Sequence, residues 1–472
     1  MSREAALALA REHLDSGAFE RDLARRVAIR TESQNADSGA ALHAYLADEI
    51  VPTLAALGFT SNVYVNPVPP RSSLLPLPPL LIATRHEGDA LPTVLMYGHG
   101  DVIRGQDASW TRGQGPWQLV RDGERLYGRG TADNKGQHSI NIAALAQVLA
   151  ARQGRLGCNI KWLIETGEET GSPGLAEFAA AHRSELAADV LIASDGPRLS
   201  RERPTVFLGS RGVANFELTL TLREGAHHSG NWGGLLRNPG TVLANAVACL
   251  VDGRGRILVD ALRPPPIPAN VRDALQGLQF GGDAGDPEVD ADWGEPGLTP
   301  AERVIAWNTL EVLAMKTGNP DFPINAIPPS AKAHMHMRYV VGTDVSRLRE
   351  AVHEHLAARG FAGIEVSAPV TMAATRLDPD NAWVRFTLAS IARSTGKTPA
   401  LLPNLGGSLP NDVFADILGL PTVWVPHSYA GCSQHAPDEH LLLPVVREAL
   451  QIMAGLLWDI GEGAAALPRR PH

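Results

Sequence analysis

The chain has 472 residues, more than the roughly 250–300 residues that one hydrophobic core organises, so two or three domains are expected. Hydrophobic residues make up 44% and charged residues 20% of the chain, which is typical of a soluble globular protein. The net charge of -9 and the isoelectric point near 6.0 argue against a general nucleic-acid-binding surface, so nucleic acid is not an expected partner.

The cysteines and the amino-terminal segment indicate the compartment. Cys158, Cys249 and Cys432 are few and far apart, which does not indicate a disulfide framework. Charged residues interrupt residues 1–33 throughout, so this segment lacks the apolar region of a signal peptide. No segment approaches the roughly 20 apolar residues that a membrane-spanning helix needs. We therefore expect a cytoplasmic protein with no membrane partner.

Four short apolar runs alternate with helical patterns along the chain. They begin at Thr93, Asn159, Asp189 and Pro421 and read TVLMY, NIKWLI, DVLIAS and PTVWVP; one of the helical patterns covers residues 139–152. This alternation predicts an α/β domain with a mostly parallel sheet and helices on both faces. In such sheets the active site lies beyond the carboxyl ends of the strands, so the loops after these runs are where catalytic residues are expected.

A different pattern begins after about residue 209. The segment VANFELTLTLREG, from Val213, and the segment Lys332–Arg338 alternate with period two, which is typical of an open-faced antiparallel sheet. The segment Arg254–Pro300 is rich in Gly, Pro and Asp and is interpreted as a long insertion or loop. After about Ala374 the α/β pattern returns.

These patterns predict a catalytic domain in two pieces of sequence. The first piece is residues 1–207 and the second is residues 374–472. Residues 208–373 form an inserted α+β domain with an antiparallel sheet.

The loops at the predicted sheet edge carry side chains that bind divalent metal ions. Imidazole suits zinc, manganese or cobalt, and a carboxylate can bridge two such ions. Five loops contribute these residues: His99, Asp133, the consecutive pair Glu168-Glu169, Asp195 and His435.

Taken singly, most of these residues have an ordinary structural explanation. A histidine after a strand is more often a hydrogen-bonded structural residue. Asp195 precedes a glycine and fits a turn, and Asp133 fits the N-cap of the following helix. The Glu168-Glu169 pair is harder to explain in this way, because adjacent carboxylates repel and here they follow an apolar run and lie between glycines. The combination is therefore more specific than any of its members.

Seven motifs together resemble a known enzyme family. The chain is similar to the zinc exopeptidases and amidohydrolases that include carnosine dipeptidase, carboxypeptidase G, aminoacylase and succinyl-diaminopimelate desuccinylase, and most similar to the carnosinase-like dipeptidase branch. The resemblance covers nearly the whole chain, in the order of the family. It is carried by YGHGDV (97–102), LYGRGTADNKG (126–136), ETGEETGS (165–172), SDG (194–196), HHSG (227–230), GGS (406–408) and HAPDE (435–439).

The resemblance implies a centre with two divalent metal ions, most simply zinc, with manganese or cobalt as alternatives. The implied ligands are His99 and Asp195 for one ion, Glu169 and His435 for the other, and Asp133 as the bridge. Three carboxylates and two dications leave one positive charge, which a bridging hydroxide neutralises. Such a pair of ions polarises the scissile carbonyl and lowers the pKa of the bridging water, which then acts as the nucleophile.

The resemblance also assigns residues around the ligands. Glu168 would be the general base, which takes the proton of the water and passes it to the leaving amine. Asp101 would orient His99, although a loop cap is the alternative for Asp101. In the family the peptide bond after the bridging aspartate is cis, which suggests a cis bond between Asp133 and Asn134. Many relatives have an aspartate where Asn134 stands.

The inserted domain would supply the substrate side, as a lid and dimerisation domain. His228 matches a histidine that reaches the partner subunit's active site and polarises the substrate carbonyl, which implies a homodimer. Arg338 matches the arginine that binds the substrate carboxylate, although a solvated arginine on an edge strand is the alternative. Asn325 resembles a polar substrate contact. Gly407 and Ser408 resemble a turn that presents N–H and hydroxyl groups to the carboxylate, with a hinge as the alternative.

The sequence therefore predicts a metal-dependent hydrolase of peptide or amide bonds. The leading hypothesis is a dipeptidase or related exopeptidase that acts on a small peptide-like substrate with a free carboxylate. The alternative is an N-acyl- or N-succinyl-amino-acid deacylase, because the same centre serves those amides. Phosphoester hydrolysis would need more cationic residues near the metals. A non-catalytic binding protein on the same fold should have lost a ligand or the base, and none is lost here.

Overall fold

The computed structural model describes residues 2–69, 75–281, 287–463 and 467–469. Its elements fall into three consecutive stretches of chain. Those of the first stretch are α1 (Arg3–Asp15), α2 (Ala18–Ala28), α3 (Gly39–Ala44), α4 (Val51–Ala55), β1 (Thr60–Tyr64), β2 (Leu80–Arg85), β3 (Thr93–His99), β4 (Val120–Asp122), β5 (Arg125–Tyr127), α5 (Lys135–Ala151), β6 (Asn159–Glu165), α6 (Leu175–Ala181), β7 (Val190–Ala193), β8 (Pro197–Arg198) and β9 (Thr205–Phe207).

The middle and last stretches complete the fold. The middle stretch contains β10 (Gly212–Thr221), β11 (His227–His228), α7 (Ser229–Trp232), α8 (Pro239–Leu250), α9 (Ala269–Leu275), α10 (Pro300–Ile305), β12 (Thr309–Thr317), β13 (Ala326–Ile327), β14 (Ser330–Tyr339), α11 (Leu348–Ala357), β15 (Glu365–Val366) and β16 (Val370–Met372). The last stretch contains α12 (Ala382–Thr395), β17 (Ala400–Leu402), β18 (Thr422–Trp424), β19 (Ser428–Tyr429), β20 (His440–Leu442) and α13 (Leu443–Gly463).

The large sheet has the strand order β1-β2-β6-β3-β7-β18-β9-β17. Its four central strands β6, β3, β7 and β18 are parallel to one another, and they are the four apolar runs of the sequence. Antiparallel pairing appears toward both edges, at β2 with β6 and at β9 with β18. The predicted α/β fold with a mostly parallel sheet is confirmed.

The central strands are apolar throughout because both faces of the sheet are covered. All seven residues of β3 are buried. On one face the core contains Trp162 and residues of α1, α5 and α13, and on the other face α6 packs Leu175 and Phe178 near Tyr97. A strand with helices on both sides has no solvent-facing side, so an alternating pattern is absent from its sequence.

The middle stretch forms a second, antiparallel sheet. Its order is β12-β14-β10-β15, and β16 also pairs with β10. Alternate residues of β10 and β14 are buried against α8 and α11, which explains the period-two pattern. The antiparallel sheet is confirmed as predicted, whereas the exact domain boundaries at 207/208 and 373/374 stay a prediction.

The segment Arg254–Pro300 is more ordered than the expected loop. In its described part, helix α9 packs Val271 and Leu275 against Ala301 and Ile305. The expectation of a plain loop is therefore wrong for this part, because apolar residues at helical spacing lie among the glycines and prolines. Residues 282–286 lie outside the described residues. None of the helices in the described ranges has both the length and the hydropathy to cross a bilayer.

Candidate metal centre and substrate site

Three of the predicted ligands meet at the carboxyl ends of β3 and β7. His99 is the last residue of β3, and its Nε2 lies 3.0 Å from Oδ1 of Asp133 and 3.6 Å from Oδ2 of Asp195. Asp195 follows β7 by two residues, and its Oδ1 accepts the N–H of Gly196 at 2.6 Å. Parallel strands bring these loops to one edge of the sheet, as the sequence predicts.

A second group of three shares Asp133 with the first. Nε2 of His435 lies 3.0 Å from Oδ2 of Asp133 and 3.1 Å from Oε2 of Glu169. The two oxygens of Asp133 therefore face different histidines. His435 has a positive φ of 59°, and its loop is tied to the first stretch of chain by Asp438, whose carboxylate accepts the N–H of Thr111 at 2.8 Å.

The donor sets fit divalent metal ions. The ligand atoms of each group, His99–Asp133–Asp195 and Asp133–Glu169–His435, lie within 4.8 Å of one another. A tetrahedral ion with metal–ligand distances of 2.0–2.1 Å needs ligand–ligand distances of about 3.3 Å, close to the separations found here. Oδ2 of Asp195 is buried and has no hydrogen-bond partner among the described residues, and a bound cation would satisfy it.

The carboxylates of the two groups are electrostatically coupled. Burial and the charge of Asp133 raise the pKa of Asp195 to about 6 and the pKa of Glu169 to about 7. Hydrogen bonds to Asp133 and Glu169 raise the pKa of His435 to about 11. Buried carboxylates that raise each other's pKa values are stabilised in their ionised form by nearby positive charge, which divalent cations would supply.

Glu168 is held beside the ligands by its backbone. Asp101, which is fully buried, accepts the N–H of Glu168 at Oδ1 and the N–H of Glu169 at Oδ2, both at 3.1 Å. The same carboxylate lies 3.4 Å from Nδ1 of His99. Burial raises the pKa of Glu168 well above its usual value, and the charges of Asp195, Glu169 and Asp133 add to this rise. In the part of the chain that the structure describes, the Glu168 carboxylate accepts no hydrogen bond.

The loop around Asp133 depends on a residue to which the sequence analysis gave no role. The buried carboxylate of Glu439 accepts the N–H groups of Ala132 at 2.8 Å, Asp133 at 3.0 Å and Gly130 at 3.0 Å, and it pairs with Arg129 at 2.8 Å. Glu439 ends the HAPDE motif, so its place in a recognised motif was the available signal.

The peptide bond between Asp133 and Asn134 is cis, as the resemblance predicts. The Asn134 amide donates to the carbonyl of Ser194 at 2.9 Å, and its oxygen lies 3.2 Å from Nδ1 of His138. Asn134 therefore links the Asp133 loop to the loop that carries Asp195.

Two of the predicted substrate residues contact each other. Arg338, on β14, donates from Nη1 to Oγ of Ser408 at 2.6 Å, and that hydroxyl donates to the carbonyl of Arg211 at 2.6 Å. The guanidinium of Arg211 donates to the carbonyl of Gly406 at 2.8 Å. Gly407 lies within this turn. Arg211 was missed by the sequence analysis, since only the tertiary fold places it beside Arg338.

His228 and Asn325 lie at a separate two-stranded sheet of the middle stretch, which is formed by β11 and β13. His228 is exposed on β11, where it pairs with Ala326, and the N–H of Ser229 donates to the carbonyl of Asn325 at 2.9 Å. Among the described residues, no hydrogen bond or ion pair connects His228 or Asn325 to the metal ligands. The structure thus brings His228 and Asn325 close to each other.

A sequence profile described as Peptidase family M20/M25/M40 matches residues 95–459. The chain belongs to this peptidase family. The matched range contains every candidate ligand from His99 to His435, so the resemblance inferred from the motifs is confirmed. The family consists of peptidases, and the prediction of a peptide-bond hydrolase is confirmed at this level.

Relatives within the family include dipeptidases. A Beta-Ala-His dipeptidase from Mus musculus is 35% identical over 196 residues, which cover 41% of this chain and 39% of that protein. A cysteinylglycine-S-conjugate dipeptidase from Corynebacterium striatum is 28% identical over 337 residues, or 68% of this chain and 70% of that protein. The match thus spans about two fifths of the mouse protein and over two thirds of the bacterial one.

Solved structures share the fold over nearly the whole chain. The structure of the dipeptidase Dug1p from Saccharomyces cerevisiae aligns with a TM-score of 0.80, over 98% of this chain and 100% of that chain, at 21% identity. Human carnosine dipeptidase 1 aligns with a TM-score of 0.78, over 98% and 99% of the two chains, at 22% identity. At these identities the likeness concerns the fold.

Proposed function

We propose that this protein is a dipeptidase that uses two divalent metal ions to hydrolyse the peptide bond of small substrates with a free carboxylate. The observation that carries the proposal is the pair of ligand groups that share Asp133, each with one histidine and a second carboxylate. The names of the two relatives, both dipeptidases, support a dipeptide as substrate. Zinc is the proposed metal, with manganese or cobalt as alternatives, and the cytoplasmic location stays a prediction.

His99 and Asp195 would hold one ion, and Glu169 and His435 the other, with Asp133 between them. When bound, the ions would polarise the scissile carbonyl and lower the pKa of a bound water. The protein fixes these donors before substrate arrives, because the ligand loops are anchored by buried hydrogen bonds to other loops.

Glu168 is the proposed general base. It belongs to neither ligand group, and its backbone is fixed by Asp101 while its carboxylate has no hydrogen-bond partner among the described residues. It would take a proton from the attacking water and pass it to the leaving amine. A carboxylate that binds a metal or a strong donor would be a weaker base, and this supports Glu168 as the proposed base and Glu169 as the proposed ligand.

Arg338 and Ser408, with the N–H groups of the turn at Gly407, would bind the free carboxylate of the substrate. The guanidinium–hydroxyl contact holds the arginine in one orientation. An arginine fixed in this way can pair with a carboxylate through two hydrogen bonds, which defines the position of the scissile bond relative to the metals.

A homodimer would complete the site with His228 and Asn325 of the second subunit. Strand β12 is an edge strand of the inserted sheet, and the exposed apolar side chains of Val312, Leu313 and Met315 lie on it. An apolar edge strand is a surface that pairs readily with another chain. The exposure of His228 in one chain also fits a role in the partner's site.

Subunit complementation tests this arrangement. A mixture of His228→Ala and Glu168→Gln subunits, each inactive alone, should regain about a quarter of wild-type activity, because half of the dimers are mixed and each has one complete site. If the mixture is as inactive as each variant alone, although native mass spectrometry shows mixed dimers, a role of His228 in trans is refuted.

A substrate panel tests the proposed function itself. The metal-depleted protein is reloaded with zinc, manganese or cobalt and assayed on dipeptides, N-acyl amino acids and N-succinyl amino acids, with a chelator control. We expect metal-dependent release of free amino acids from dipeptides. Turnover of acylated amino acids alone would favour a deacylase instead, and binding of dipeptides without turnover by the metal-loaded protein would favour a non-catalytic binding protein.

A further inference from the structure

A cavity of about 690 Å³ lies between the antiparallel sheet of the middle stretch and described residues of the segment Arg254–Pro300. Its polar end contains Arg211 and Arg338, and its walls are formed mainly by Phe280, Val289, Trp293 and Trp307. Its size is typical of small-molecule sites, which combine apolar walls with a few polar groups.

Neighbouring residues of the segment Arg254–Pro300 hold Trp293 in the wall of the cavity. The indole of Trp293 packs on Gly255, where an added Cβ would lie 2.6 Å from Trp293 Cε2, and the φ of +75° at Gly255 also favours glycine. The N–H of Gly294 donates to the carbonyl of Arg254 at 2.6 Å, and Arg303 donates to the carbonyls of Trp293 and Glu295. These contacts with Arg254, Gly255 and Arg303 hold Trp293 in the wall of the cavity.

The apolar wall is open to solvent. Trp293 is 47% exposed and Val289 is 54% exposed, although both line the cavity. Large apolar side chains that face an open cavity gain free energy when an apolar group covers them, at roughly 25 cal/mol per Å². The wall is therefore suited to an apolar ligand group.

The polar end of the cavity is suited to an anion. Among the described residues, neither Arg211 nor Arg338 forms an ion pair with a carboxylate; Arg211 donates to the carbonyls of Gly406 and Trp307, and Arg338 donates to Ser408. The charge of Glu311, which also lines the cavity, acts on Arg211, but neither guanidinium group is in an ion pair among the described residues, and two such neighbouring groups favour a bound carboxylate.

This polar end is connected to the candidate metal centre by the turn 405–408. The side chain of Leu405 packs on Gly196, the residue after Asp195, and three residues later Ser408 contacts Arg338. One end of this turn thus lies beside the loop that carries Asp195, and its other end contacts Arg338, which lines the cavity.

Resting on the proposed dipeptidase function, we propose that this cavity is the subsite for the C-terminal side chain of the substrate and that it selects aromatic and other large apolar residues. The C-terminal side chain branches from the carbon that carries the bound carboxylate, so it is the substrate group that reaches the walls beside Arg338. Asp290, Glu295 and Glu311 also line the cavity, but Glu295 is paired with Arg263 at 2.5 Å.

Steady-state kinetics on the full-length, metal-loaded protein test the proposal, with Gly-Phe, Gly-Leu, Gly-Lys and Gly-Gly as substrates. We expect kcat/KM for Gly-Phe to exceed that for Gly-Gly by at least about 10-fold, since each apolar group in a matched pocket contributes on the order of 10-fold or more. Trp293→Ala should lower kcat/KM for Gly-Phe about 10-fold, mainly through KM, and change Gly-Gly by less than about two-fold.

A matched pair of valines controls for general effects on the fold. Val289→Ala, in the wall, should weaken the preference for Gly-Phe, whereas Val370→Ala, which is 64% exposed on β16 and outside the cavity, should not. A preference for Gly-Lys, or an equal effect of Trp293→Ala on all four dipeptides, would overturn the proposal.

A binding measurement separates this proposal from the proposed function. Isothermal titration with 3-phenylpropionate and with acetate probes the cavity without catalysis. Tighter binding of 3-phenylpropionate than of acetate, lost in Trp293→Ala, supports the subsite even if no dipeptide is hydrolysed. Absence of dipeptide hydrolysis would refute only the dipeptidase function. Equal binding of the two acids by the wild-type protein would overturn the subsite, whatever the activity.

Discussion

The buried carboxylate of Glu439 accepts the backbone N–H of Asp133 at 3.0 Å. The side chain that we propose as the bridge between two metal ions is thus positioned by a residue 306 positions later in the chain. The same carboxylate also accepts the N–H groups of Gly130 and Ala132, so it holds the backbone of the loop from Gly130 to Asp133 in place.

Glu439→Gln should weaken metal binding. An amide group replaces one carboxylate oxygen, so at least one backbone N–H in the Asp133 loop faces another donor and Arg129 loses its charge partner. We expect the metal affinity to fall about 10- to 100-fold, as for other residues that orient ligands, with activity partly restored by excess metal. Titration against a competing chelator measures this. The exposed Glu462→Gln is the control, and an unchanged affinity in Glu439→Gln would contradict the positioning role.

Glu168→Gln and Glu169→Gln should separate catalysis from metal binding. If Glu168 is the base, its amide variant keeps both metals and a nearly unchanged KM, while kcat falls by about 10²- to 10⁴-fold. Glu169→Gln removes a ligand from the group with His435, so the metal content itself should fall. Elemental analysis together with steady-state kinetics distinguishes the two. Full metal content in Glu169→Gln would exclude it as a ligand.

Arg338→Lys should impair recognition of the substrate carboxylate. Lysine keeps the charge but loses the planar fork and the fixed contact with Ser408. We expect kcat/KM for dipeptides to fall about 10- to 100-fold, chiefly through KM, while C-terminally amidated dipeptides, which we expect to be poor substrates of the wild-type protein, lose little. Arg347→Lys, at an exposed position, serves as the control. Equal losses on free and amidated dipeptides would argue against the assignment.

His427 should make the protein less stable in acid. Burial, with a contribution from the charge of Arg198, holds the pKa of this histidine well below its usual value of 6.5, and its Nε2 lies 3.0 Å from both Ser194 Oγ and Asn141 Oδ1. The folded protein keeps His427 neutral, whereas the unfolded chain binds a proton below about pH 6.5. The stability is therefore fully present above that pH and is lost as pH falls, by at most about 1.4 kcal/mol per pH unit from this residue.

Denaturant unfolding of the metal-depleted protein between about pH 5 and 8 measures this dependence. His427→Gln should flatten the curve relative to the wild-type protein, even if it lowers stability at neutral pH. His86→Gln, at an exposed position, should leave the slope unchanged. An identical slope in His427→Gln and wild type would show that His427 is not the neutral buried group described here.

Much of the fold and most of the candidate centre could be predicted from the sequence. The runs that become β3, β6, β7 and β18 are apolar because both faces of the sheet are covered. Apolar runs of this kind can be recognised in the sequence without a structure. The candidate ligands His99, Glu169 and Asp195 lie at or shortly after the ends of β3, β6 and β7, so local sequence predicted their approximate position. Family motifs then suggested how the roles are divided, including the cis bond at Asp133.

The amino-acid sequence by itself thus determined the strands, the order of the loops and the chemical types of the donors. Only the tertiary structure decided which oxygen of Asp133 faces His99 and which faces His435, that Glu439 supports the loop, and that Arg211 and Trp293 frame a cavity beside Arg338. The reason is physical: these relationships join residues far apart in the chain, and no local pattern of hydrophobicity or turn chemistry encodes a contact that forms only when separate elements pack together.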